Sequence, residues 1–300
     1  MASDIDRGVR SAQLSLVANA VLALVKLVAG IVGHSYALVA DAVESAADIF
    51  SSMIVWGGLR IASKHPDDDY PFGYGKAETV ASATVSLMLL GAAIGIAIEA
   101  VREIQVPHHA PAPWTLIVLV AVFIIKTALY RRNGAIGREM GSSAVQADAW
   151  HHMSDALTSA AAFVGIGLSV WKGAGWESAD DWAALAASCV IAYNGSHMLR
   201  GAVRDLMDRH PGTEIALPVR RVAAAVPGVR AIEKLSIRRA GMAYHVEIHV
   251  QAAPELSLHD SHALGGLVKS TIKTAQPRVL GVLVHMEPYE PTAESEQRTA

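Results

Sequence analysis

The segments ADAVESAAD (residues 40–48) and ADAWHHMSD (residues 147–155) decide how this chain is read, because each sets ligating side chains inside a long apolar run. Asp41, Glu44 and Asp48 in the first and Asp148, His151 and Asp155 in the second recur at helical spacing, so each set lies on one helix face. A carboxylate near a bilayer midplane costs ~2.5–3.5 kcal/mol even on lenient insertion scales, so these carboxylates need a ligand, a proton or a partner to persist. Together they read as a metal site.

Of the 300 residues, 52% are hydrophobic, and the 25 basic and 28 acidic side chains fall mostly between apolar runs. That is the profile of a polytopic membrane protein. A net charge of −3 leaves no global basic field for nucleic acid. The single cysteine, Cys189, excludes a disulfide framework or a thiolate zinc site within one chain. The polar start MASDIDRGVR, followed by a long apolar run, is expected to lead into a true first helix rather than a cleaved signal.

Six stretches approach the ~20 apolar residues that a bilayer core requires: about 12–33, 36–62, 77–101, 114–130, 143–171 and 179–199. Gly91 and Gly95 in the third have small-xxx-small spacing, which predicts close helix packing. Arg7, Arg10, Lys64, Lys76, Arg131, Arg132, Arg138, Arg200 and Arg204 cluster on one side, whereas the opposite loops hold little beyond Arg102 and Lys172. This bias puts both termini in the cytoplasm. Lys26 and Lys126 lie inside apolar runs but within reach of helix ends, so they are expected to snorkel.

From about Met207 the pattern becomes that of a soluble unit. A helix near 214–225 precedes strands near 231–239 and 243–252, a helix from Ser257 with Asp260 at capping-box spacing, and a strand near 279–287. The expected organisation is therefore a membrane all-α bundle of six transmembrane helices over residues 1–206, a cytoplasmic α+β domain of order α-β-β-α-β over 207–290, and a disordered tail over 291–300.

Glu44 and Asp48 are four apart, as are His151 and Asp155, so each helix presents two ligands one turn apart. Two such helices face to face give one nitrogen and three carboxylates, a set suited to a tetrahedral transition metal. Asp41 and Asp148, one turn away on the same faces, read as lining the ion's path. His152 points about 100° from His151 on an ideal helix and reads as a supporting group.

SYALVADAVESAADIFSS, ADAWHHMSDALTS and the loop motif FGYGKAE resemble the cation diffusion facilitators, homodimeric divalent-metal/proton antiporters, and the resemblance runs from about residue 10 to 290. It implies a metallochaperone-like cytoplasmic domain and places the transport site on Glu44, Asp48, His151 and Asp155, with Glu44 standing where zinc or iron transporters usually have Asp or His. A second family site in the loop after the second helix would fall on Asp67, Tyr70 and Tyr74. Neutral tyrosines ligate zinc poorly, so that site is expected to be absent. The resemblance further implies a charge interlock between Lys76 and Asp208. It also implies a regulatory metal site in the cytoplasmic domain on His249, His262, His285 and Glu287, with Glu233, His245 and Glu247 nearby.

The expected function is that of a secondary-active exporter of Zn2+, or of Fe2+ or Mn2+, in exchange for protons. It needs no organic cofactor, is embedded in the lipid of a bacterial inner membrane, and acts as a homodimer. One rival is a di-metal carboxylate enzyme in a helical bundle, but its Glu-x-x-His pair does not occur here, since Ala47 follows Glu44 at i+3. Another is a membrane sensor or scaffold that binds metal without moving it.

Overall fold

The computed structural model describes residues 2–32, 36–105, 115–172 and 179–290. Within its helices, the side chains of 2–5, 29–48, 165–172, 179–181 and a few further positions lie outside that description. Two compact units divide the chain, one ending at Leu206 and the other beginning at Met207.

Six helices form the first unit: α1 (Ala2–Val32), α2 (Tyr36–Ala62), α3 (Lys76–Gln105), α4 (Thr115–Met140), α5 (Ser143–Lys172) and α6 (Ala179–Leu206). The shortest has 26 residues, about 39 Å at 1.5 Å per residue, against a hydrocarbon core of about 30 Å. Among the described residues, Asp6–Val25 and Lys76–Arg102 qualify as spans on length and composition alone. Several helices run past their apolar stretches, α4 to Met140 and α6 to Leu206, because polar ends keep the helical hydrogen bonds beyond the membrane portion. α1 packs along α2, α4 along α5, and α3 along α6.

The packing inverts that of a water-soluble bundle. On α1, Val17, Val21, Leu24 and Val28 are exposed, whereas Ser11, Ser15 and Asn19, at four-residue intervals, are buried. Exposed Leu87, Ile94 and Ile98 on α3 and Ile117 and Ile124 on α4 continue the apolar exterior. This is the solution a lipid solvent favours: apolar surface outward and polar side chains satisfied against each other inside.

Close helix approach occurs at other glycines than those expected. A Cβ on Gly91 or Gly95 would meet nothing within 4 Å, so both face outward and neither makes a tight crossing. At Gly58 the same Cβ would lie 2.5 Å from the Ala81 side chain, and at Gly195 it would lie 3.2 Å from Leu90. Those two positions bring α2 and α6 against α3.

α5 begins after a two-residue connection in which Gly141 takes φ 67, a conformation that favours glycine. Its first-turn N–H groups need acceptors. Ser142 Oγ accepts from Val145 N at 3.2 Å, and Glu78, buried on α3, accepts from Ala144 N at 2.8 Å, Ser142 Oγ at 2.8 Å and Ser143 Oγ at 3.1 Å. The glutamate of FGYGKAE thus fixes the start of the helix that carries His151 and Asp155.

The second unit comprises α7 (Thr213–Ala224), β1 (Ala231–Ala240), β2 (Ala243–Ala252), α8 (Leu258–Ala275) and β3 (Val279–Pro288). β2 is central, antiparallel to β1 and parallel to β3. Alternation along β2 sends Val246, Ile248 and Val250 into a core with Val219 and Ala223 of α7 and Val268 and Ile272 of α8. His245, Glu247 and His249 take the opposite face, clear of that core. The expected tail, 291–300, lies outside the described residues.

This core predicts a graded stability. Ile248→Ala, which empties a fully buried site, should cost about 3 kcal/mol. Ser257→Ala should cost about 1 kcal/mol, because it removes the α8 cap that accepts from Asp260 N at 3.2 Å. Urea unfolding of a 207–290 fragment checks both, and equal losses would contradict the assignment of Ile248 to the centre of the core.

Candidate metal centres

In the membrane unit, α5 carries His151 and Asp155 one turn apart; His151 is 7% exposed and the Asp155 side chain 22%. Glu44, Asp48 and Asp41 belong to α2, and their side chains lie outside the described residues. The structure therefore describes the α5 half of the expected four-ligand set.

Asp155 Oδ2 lies 2.7 Å from Lys126 Nζ of α4, and the same ammonium donates to Asn19 Oδ1 of α1 at 3.0 Å. Lys126 is 1% exposed. The expected snorkelling of Lys126 is thus corrected: its ammonium turns inward because a carboxylate and an amide oxygen await it inside the bundle. The Lys26 side chain lies outside the described residues.

Asp148, 1% exposed, sits at a junction of four helices. It accepts from Ser15 Oγ of α1 at 3.0 Å, Ser52 Oγ of α2 at 3.4 Å and Asn133 Nδ2 of α4 at 2.9 Å. His152 Nε2 lies 3.1 Å from Ser15 Oγ and 3.6 Å from Asp148 Oδ2. Its Nδ1 is buried without a hydrogen-bond partner among the described residues. In this conformation the Asp148 carboxylate is closed off from solvent. Asn133 also accepts from Ser11 Oγ at 2.7 Å, and Asn19 Nδ2 donates to Ser52 Oγ at 3.3 Å. A continuous polar chain therefore runs from Ser11 to Asp155.

Sequence reading missed Lys126, Asn19, Ser15, Asn133 and Ser52 as partners of this site. A signal was present: Ser11, Ser15 and Asn19 recur every four residues in an apolar helix, and Lys126 and Asn133 are seven apart.

In the loop after α2, Asp67 Oδ2 accepts from the Tyr74 hydroxyl at 2.7 Å and Oδ1 from Tyr70 N at 2.8 Å. The Tyr74 bond holds the Asp67 carboxyl below its usual range and pushes the Tyr74 phenol up to about 12. Both carboxylate oxygens are spent on closing the loop. Lys76 opens α3 and donates from Nζ to Leu206 O at 3.4 Å, and Asp208 follows α6 with φ 54.

In the second unit, strand register brings three ligands together. His249 pairs with His285 and Gln251 with Glu287 across β2 and β3. His249 Nδ1 lies 2.7 Å from Glu287 Oε1, His285 Nε2 lies 3.5 Å from it, and one ligating atom from each of the three residues falls within 4.8 Å of the others. Glu247 Oε1 is 3.9 Å from His249 Nε2. A shift in β1 between Ile232 and Lys234 frees Glu233, whose hydrogen bond with Glu287 raises its own carboxyl; that bond, then His249, holds Glu287 down. The His245 ring packs against Gly281, where a Cβ would come 2.6 Å from Nδ1. His262 is exposed on α8, the helix that covers the core face, and does not belong to the converging group.

With this geometry in view, the chain matches the cation efflux transmembrane domain over residues 12–207 and the cytoplasmic domain of cation efflux proteins over residues 199–289. It is 32% identical to the magnetosome protein MamB of Magnetospirillum gryphiswaldense, covering 90% of this chain and 91% of MamB. It is 30% identical to the manganese efflux system protein MneP of Bacillus subtilis, covering 93% and 95% of the two chains. With the cation-efflux pump FieF of Klebsiella pneumoniae it shares 29% identity over 89% and 88%. A match of this extent, over a bundle with a polar interior and a sheet with a ligating face, means that the chain belongs to the cation diffusion facilitator family, membrane transporters that export divalent cations.

Proposed function

We propose that the protein exports a divalent transition metal, Zn2+ foremost and Fe2+ or Mn2+ alternatively, from the cytoplasm in exchange for protons. Glu44, Asp48, His151 and Asp155 hold the ion in the membrane. The observation that carries this reading is Asp155: one turn from an imidazole on α5, and already holding a cation, Lys126, at 2.7 Å. An anionic group in a buried bundle is kept only where a positive charge answers it, and a divalent metal brought to the same carboxylate answers it more strongly. The manganese efflux system protein MneP among the relatives keeps Mn2+ among the candidates.

Metal ligation needs deprotonated carboxylates and a neutral imidazole, so proton and metal compete for one set of atoms. That competition couples the two fluxes. The chain works as a homodimer in a bacterial inner membrane with both termini in the cytoplasm. His249, His285 and Glu287 bind a regulatory ion that biases the cytoplasmic domain toward a state favouring transport.

Three outcomes are expected. Asp155→Ala should bring metal uptake by proteoliposomes to background while the protein still inserts; near-normal flux would sink the site. Calorimetry of the full chain should show proton release on metal binding, so heats that do not vary among buffers of different ionisation enthalpy would remove the basis for exchange. Replacing His249 and His285 together by Ala should raise the metal concentration for half-maximal transport without abolishing flux. An unchanged half-maximal concentration would leave the sheet face with no regulatory role.

A further inference from the structure

Lys126 is the one lysine or arginine buried among the described residues, and its place on Asp155 is specific. It projects from α4 into the gap between α1 and α5, and its Nζ reaches two acceptors of different kinds, Asp155 Oδ2 at 2.7 Å and Asn19 Oδ1 at 3.0 Å. Asn19 is held in turn: its Nδ2 donates to Ser52 Oγ at 3.3 Å, so its amide oxygen stays aimed at the lysine. Ser52 also donates to Asp148. The neutral acceptor is therefore built in beside the charged one.

We propose that Lys126 is a tethered counter-cation of the transport site: it neutralises Asp155 while the site is empty, shifts onto Asn19 when a divalent ion arrives, and returns as the ion leaves. This rests on the transport reading above. The ammonium keeps its charge throughout and changes partner only. Two considerations support the exchange. A buried carboxylate left without a partner is strongly destabilised, so a carrier that must pass through an empty state gains from a cation that never departs. An ammonium and a divalent metal on one carboxylate oxygen repel each other, so the stronger charge excludes the weaker, and the lysine's return helps expel the metal.

A purely structural lysine makes the opposite prediction. Losing a structural tie loosens the bundle and weakens metal binding, whereas losing a competitor tightens it. The test titrates Zn2+ and Mn2+ calorimetrically into the purified full chain in nanodiscs, alongside uptake by proteoliposomes. Lys126→Met should lower the metal Kd by about tenfold or more and slow turnover, and Lys126→Arg, which keeps the charge, should return Kd toward the wild type. Asn19→Asp, nearly isosteric, gives the lysine a charged alternative and should also tighten metal binding, which provides a second route if Lys126→Met does not fold. An unchanged or weaker affinity in a folded Lys126→Met protein, or in Asn19→Asp where the former does not fold, overturns the proposal. Asp155→Ala separates the two readings. If it binds and transports normally, the transport site itself is wrong; if it abolishes both while Lys126→Met leaves Kd unchanged, only the lysine's role falls.

Discussion

An ionised carboxylate inside a membrane bundle persists only while something positive faces it, and in this chain that constraint organises the interior. Asp155 is faced by Lys126, Lys126 is shared with Asn19, Asn19 is fixed by Ser52, and Ser52 and Ser15 converge on Asp148. Each link joins a different pair of helices, so these polar side chains hold α1, α2, α4 and α5 in register. In lipid there is no hydrophobic gain from pressing these helices together, and small residues and interhelical hydrogen bonds take its place. Breaking a buried ion pair from one side typically costs about 3–5 kcal/mol, far more than the pair adds to stability in net terms. The network is thus sensitive to single changes without being a large store of stability.

The same logic links the loop motif to a helix far from it in sequence. α5 carries His151 and Asp155, and its N-terminus lies beside the start of α3. There the Glu78 carboxylate satisfies a backbone N–H and two serine hydroxyls at once. A negative charge at a helix N-terminus is also favoured by the helix dipole. Glu78 of FGYGKAE therefore fixes the start of the helix that carries His151 and Asp155.

Much of this was legible in the sequence, and the failures share a cause. Helix order, the α-β-β-α-β succession and the split of β2 into apolar and ligating faces follow from periodicity, which the backbone imposes on any sequence. Periodicity does not say which neighbour a face meets. Lys126 was read from its distance to a helix end, but an acceptor on another helix decided its direction. Gly91 and Gly95 carry the spacing of a packing motif yet face outward, whereas Gly58, next to Gly57, and Gly195 make close approaches.

The two candidate centres solve one electrostatic problem in different media. In the bundle, the Asp155 carboxylate is balanced by a side-chain cation that cannot diffuse away. On the cytoplasmic sheet, Glu287 has no lysine beside it among its described contacts; it is held by His249 and by its hydrogen bond with Glu233, a residue at an irregularity in β1. A proton can be drawn from water and returned to it, so a surface site can open or close with the solution around it. A tethered ammonium can only trade places with whatever cation enters. That difference follows from where each carboxylate sits rather than from which residue it is.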